Sequence, residues 1–199
     1  MIDMSKRVIL LTFDIESQSY QAFSEIKKLH VSREIKGDQM AVVTHTNDGN
    51  HKFTIDDFID FTGNNNASTG GMIGMLLGVL VSPLAILLGW FAGGMIGATR
   101  DAKEIKDAQS VFESVVNQIG EGMTAVILIA DEEDNRPLNQ LVMNELGGQI
   151  TRLDYDEVED EIKNAQHVES ETKAAAQKNW DDKHSDKQTA PDSDAPDTK

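Results

Sequence analysis

The chain has 199 residues, 18 Lys and Arg against 34 Asp and Glu, a formal net charge of −16 and no cysteine. That charge argues against nucleic acid as a partner, because phosphate binding needs a basic surface. The lack of cysteine excludes disulfides, thiolate nucleophiles and cysteine-ligated metals.

The first apolar run is Val8 to Phe13, "VILLTF", preceded by Lys6-Arg7 and closed by Asp14. Six residues are too few for the core of a secretory signal, and no small-residue cleavage site follows. The run predicts a strand buried on both faces. Acidic and serine residues then lead into a helix over Tyr20–His30, with Phe23, Ile26 and Leu29 on one face. "MAVVTHT", Met40–Thr46, predicts the returning strand.

The same order recurs further on. "AVILIA", Ala125–Ala130, is a second continuous apolar strand, followed by Asp131, Glu132 and Glu133. A helix over Arg136–Leu146 has Pro137 in its first turn, an inward stripe of Leu138, Leu141, Val142 and Leu146, and Gly147-Gly148 at its end. "QITRLDY", Gln149–Tyr155, returns to the sheet. Two βαβ units, in residues 1–46 and 123–155, predict an α+β domain of the ferredoxin-like, split βαβ kind. In that topology the first strand of each unit is central, which suits the two fully apolar runs.

Residues 47–122 are an insertion between the halves. It opens with the turn "NDGN" and a short strand "HKFTID" expected to pair with Met40–Thr46. From Phe61 to Thr99 there is no charged residue and no histidine. Gly70, Gly74 and Gly78 are spaced by four, as are Gly89, Gly93 and Gly97. Each triplet lines one helix face and permits close helix packing. Ser82-Pro83 divides the stretch, since serine suits an N-cap, proline a first turn, and the residue before proline avoids helical angles. The prediction is a glycine-zipper hairpin over about 68–99, with helices Ser68–Val81 and Pro83–Thr99. Each helix is ~22–25 Å long, short of a ~30 Å hydrocarbon core. A single crossing would separate two halves that share a sheet, so both ends must return to one side. Arg100, Lys103 and Lys106 would mark that side as cytoplasmic. A hairpin buried in a multimer, with Met72, Ile73, Leu76, Leu77, Leu87, Leu88, Trp90 and Phe91 facing other subunits, satisfies the same pattern.

An amphipathic helix over about 101–119 follows, with Ile105, Ala108, Phe112, Val115, Val116 and Ile119 at helical spacing. From Asp154 to Lys199 there are 14 acidic and 6 basic residues, so residues 156–199 read as an acidic tail. A helix to about Trp180 is expected, then a segment of disorder-prone composition.

With "VILLTFD" at the start, "AVVTHTNDG" ending the second strand, the hairpin "GGMIGMLLGVLVSPLAILLGWFAGGMIGA" and "EGMTAVILIADEED" beyond it, the chain resembles a family of small bacterial membrane proteins of unknown function. The resemblance covers Lys6 to Asp154, and the acidic tail is longer than the family pattern. It implies a membrane-associated protein with a ferredoxin-like head, and some related glycine-hairpin proteins are linked to stress responses. It implies no catalytic residues.

The residues agree with a non-enzymatic role. His30, His45, His51, His167 and His184 have no ligand spacing, and His45 and His51 are expected to be exposed at strand ends. The acidic clusters lack a calcium-loop pattern, and no phosphate loop or nucleophile signature is present. No catalytic, cofactor or metal residue and no cofactor is expected. The expected partners are the lipid bilayer and further copies of the chain, with no nucleic acid and no evident small molecule. The expected location is the cell membrane, head and tail facing the cytoplasm. The competing expectation is a soluble oligomeric sensor or scaffold, whose ferredoxin-like head dimerises through a free sheet face or binds a ligand.

Overall fold

The structure is a computed structural model that describes residues 6–48, 52–63, 71–81 and 111–185. It has two compact units, Met1–Ala165 and Gln166–Lys199. The first unit is α+β. Its strands are β1 (Lys6–Thr12), β2 (Lys36–His45), β3 (Phe53–Asp60), β4 (Thr124–Asp131) and β5 (Gln149–Asp154). They form one antiparallel sheet in the order β3-β2-β4-β1-β5. The two apolar runs of the sequence are therefore both interior strands, β4 in the centre and β1 beside it.

Both faces of the sheet are covered, so side chains on either side of a strand are apolar. On one face, Ile9, Leu11, Val42, Val126 and Leu128 are buried under α1 (Glu16–Val31) and α4. Helix α4 starts as Arg136–Asn139 and continues as a π-helical turn, Gln140–Glu145. Its Leu138, Leu141, Val142 and Leu146 supply the inward stripe read from the sequence. Helix α1 begins four residues before the expected Tyr20. The Gln18 side chain accepts the Ile15 N–H at 3.3 Å, and Gln18 N–H donates to the Ile15 carbonyl at 3.0 Å, which closes the first turn.

On the other face, Val8, Leu10, Ala41, Val43, Ala125 and Ile127 lie under three helices. These are α2 (Met72–Leu80), α3 (111–118) and α5 (Tyr155–Ser185), the last through Val158, Ile162 and Ala165. Cover is complete over the interior strands, while the edge strand β3 stays largely exposed, with Ile55 at 42%. The buried Glu161 carboxylate ties α5 to α3 by accepting the Val111 N–H at 3.1 Å. The first turns of the helix assigned to the acidic tail thus belong to the first unit. From Gln166 on, the second unit is helical to Ser185 and carries its own surface pairs, among them Lys173–Glu169 at 2.6 Å.

β2 starts four residues before the expected Met40, with a register shift between Gly37 and Gln39. β3 runs on to Asp60, past the expected end at Asp56, because a second shift between Val42 and Val43 lets pairing continue. His45 is buried rather than exposed. Its Nδ1 lies 2.6 Å from the Ile119 carbonyl oxygen and its ring stacks on Phe53 at 4.3 Å. That partner comes from α3's end, 74 residues away, so no local pattern could reveal it. His51 lies outside the described residues.

Candidate functional site

Of the glycine pattern, Gly74 and Gly78 lie on α2, while Gly70, Gly89, Gly93, Gly97, Ser82 and Pro83 lie outside the described residues. Helix α2 is nine residues long, and six of them, Met72, Ile73, Leu76, Leu77, Val79 and Leu80, are buried. At about 1.5–3 kcal/mol for each large apolar side chain taken from water, this contact is a substantial part of the core. Met72, Ile73, Leu76 and Leu77, expected to face other subunits in a buried hairpin, cover the chain's own sheet instead. Among the described residues no helix is long and apolar enough to cross a membrane.

The two glycines of α2 differ in exposure, Gly74 being half-buried. Gly78 is exposed, and a Cβ added there would meet nothing within 4 Å. Gly71, the N-cap of α2, is different: a Cβ there would overlap the buried side-chain amide of Gln39. That amide also donates to Asp60 at 3.3 Å. The α2 start is thus keyed to β2 by a glycine outside either of the two spaced triplets.

The end of the sheet where β1 and β2 begin and β4 ends gathers most of the ion pairs of this unit. Lys6 pairs with Asp38, Arg7 with Asp154 at 3.2 Å, and Lys36 with Asp131 at 3.5 Å. Arg152 holds Glu132 through two contacts of 2.5 and 2.7 Å. Burial works against the Lys6 ammonium, but the hydrogen bond and attraction of Asp38, with Tyr155 and Asp131 beyond, raise its pKa overall. Arg136 hydrogen-bonds both oxygens of Asp134 and pulls that carboxyl down to about 2.

Between the α1–β2 and β4–α4 connections this end opens into a cleft of about 890 Å³. His30, Arg33 and Lys36 line one side, and Asp131, Glu133 and Asp134 line the other. Ile35 and Pro137 contribute apolar surface. Gly37 N–H donates to His30 Nδ1 at 3.2 Å, and the ring stacks on Phe61 at 4.1 Å. The neutral ring's proton therefore sits on Nε2. Arg33 has φ 64°, the left-handed conformation that usually falls to glycine after a helix. Sequence reading missed this cleft because its two walls are about a hundred positions apart, and only the pairing of β1 and β2 with β4 joins them.

Among the described residues, no group of three or more His, Asp or Glu side chains is placed to hold a metal ion. No family model, curated protein or solved structure matches the chain.

Proposed function

We propose that the chain is a non-enzymatic, membrane-associated protein that self-associates through its glycine-spaced segment, with a ferredoxin-like head. Support for the head type is the strand order. Omitting the edge strand β3, the two βαβ units interleave as β2-β4-β1-β5, with the first strand of each unit inside. A third layer, α2, α3 and α5, closes the face that a two-layer split βαβ leaves open.

The observation that carries membrane association is the uncharged run Phe61–Thr99. Helix α2 commits Met72–Leu80 of that run to the sheet, so the part left for lipid or for other copies is Ser82–Thr99. As one helix its 18 residues would reach ~27 Å, short of a ~30 Å hydrocarbon core. Both flanks, Leu80 before it and Val111 after it, pack on one sheet face. The segment between them begins and ends on one side of any bilayer, which fits a re-entrant element rather than one crossing. Arg100, Lys103 and Lys106 favour the cytoplasmic side for the head and the acidic tail.

Carbonate washing of cell membranes tests this reading. Retention of the protein in the pellet is expected, and its full release into the soluble phase would overturn membrane insertion. The second reading is a soluble oligomeric scaffold or sensor, joined through the exposed Gly78 side of α2. It is favoured by the burial of six α2 side chains in the chain's own head, which removes half of the hairpin's need for lipid. Light scattering without detergent separates the two: a monodisperse small oligomer selects the scaffold.

A further inference from the structure

We infer that the cleft between the α1–β2 and β4–α4 connections binds a small zwitterion of the amino-acid class, a free amino acid or short peptide with an apolar side chain. The first observation is the separation of charge across it. The α1–β2 connection brings Arg33 and Lys36 with one carboxylate, Glu34, and the β4–α4 connection brings carboxylates alone, so the cleft offers a ligand both an anionic and a cationic anchor.

The second is which of those charges are already committed. Lys36 and Asp131 pair with each other at 3.5 Å, and Asp134 is held by Arg136. Glu34 accepts a hydrogen bond from the Ser32 hydroxyl at 2.8 Å. Arg33 and Glu133, both exposed, form no ion pair among the described residues. They stand on opposite walls. The His30 Nε2–H is left as a donor because Nδ1 is taken by Gly37. Arg33 and His30 receive the ligand carboxylate, Glu133 receives its ammonium, and Val31 and Pro137 meet its side chain.

The third is the backbone at Arg33. Its left-handed φ ends α1 in a Schellman-type turn, with Arg33 N–H on the His30 carbonyl at 3.1 Å and Glu34 N–H on the Leu29 carbonyl at 2.9 Å, which fixes where the Arg33 side chain leaves the helix. The cleft volume lies within the roughly 300–1,000 Å³ usual for small-molecule sites. The whole-molecule charge of −16 disfavours a simple anion and leaves a zwitterion without net repulsion.

The test is isothermal titration calorimetry of the full chain with L-leucine and L-leucyl-L-leucine. The half-ligands 4-methylvalerate and isoamylamine are titrated alongside. Binding of at least one zwitterion is expected, tenfold or more tighter than either half-ligand. Arg33→Gly is expected to lose at least tenfold in affinity while remaining as heat-stable as the parent, because glycine suits φ 64°. Glu133→Gln is expected to lose affinity for the zwitterion and keep that for 4-methylvalerate. No heat from either zwitterion up to millimolar concentration, equal binding of 4-methylvalerate, or unchanged affinity in Arg33→Gly would each overturn the inference. None of these outcomes depends on whether the protein inserts in a membrane.

Discussion

Three glycines carry opposite expectations, and the difference lies in what surrounds each missing side chain. At Gly148 a Cβ would come within 2.5 Å of the Phe13 ring and 2.8 Å of the Thr12 carbonyl oxygen. Because that oxygen is backbone, the clash cannot be relieved by a rotamer, and Gly148→Ala is expected to destabilise by about 1–3 kcal/mol in a urea titration. Gly71→Ala meets only the far end of the flexible Gln39 side chain, which can swing aside at the cost of its 3.3 Å bond to Asp60, so a smaller loss than at Gly148 is expected. At Gly78 the added methyl group meets open space. Helix propensity then decides, and Gly78→Ala is expected to gain up to about 1 kcal/mol in the isolated chain. The same methyl would keep a second helix from approaching, so the oligomer fraction in cross-linking should fall. A stabilised protein with undiminished cross-linking would remove Gly78 from any assembly face. Electrostatics gives a further check at this scale. Arg136 lowers the Asp134 pKa to about 2, so ionised Asp134 favours the folded state above the ordinary carboxylate range. That contribution fades as pH falls through about 2. NMR titration should place the Asp134 midpoint there and return it to the ordinary range in Arg136→Gln.

At the scale of elements, the sequence reading succeeded where burial is two-sided and local. "VILLTF" and "AVILIA" alternate between the two cores: Val8 and Leu10 face α2 and α3, while Ile9 and Leu11 face α1 and α4. Continuous apolar strands call for cover on both faces, and these two have it. The cover itself was not legible. Met72, Ile73, Leu76 and Leu77 satisfy lipid, another subunit or a sheet equally well, because apolar surface is attracted without direction. What placed α2 was the unmet face formed by Ala41, Val43, Ala125 and Ile127, which is visible only after the strands pair. His45 and the charged cleft escaped for the same reason, since each is assembled from residues distant in the chain. The docking of α2 predicts that Leu76→Ala, at a fully buried position, costs about 2–5 kcal/mol in the stability of the whole first unit. A lipid-facing Leu76 would instead tolerate alanine with little effect on unfolding of the head.

For the whole molecule, the sheet constrains the uncharged segment more than the segment constrains itself. Helices α2 and α3 flank it and share one sheet face with the start of α5. Moving α2 into a bilayer would expose Val8, Leu10, Ala41 and Val43 to water, and a bilayer has nothing to return for that loss beyond what α2 already has. On the proposed membrane reading, lipid contact would begin after Val81, and the chain would have to return to the head by residue 111. The chain contains no cysteine, so single cysteines report cleanly on this arrangement. Val81 and Glu113 are exposed sites on the two flanks. In sealed inverted membrane vesicles, Val81→Cys and Glu113→Cys should both react with a membrane-impermeant maleimide, and neither should do so in vesicles of native orientation. Labelling of the two from opposite sides would mean that the flanks lie across a bilayer from each other. No single sheet could then hold both helices, and the antiparallel β1–β4 pairing on which the head rests would have to be abandoned.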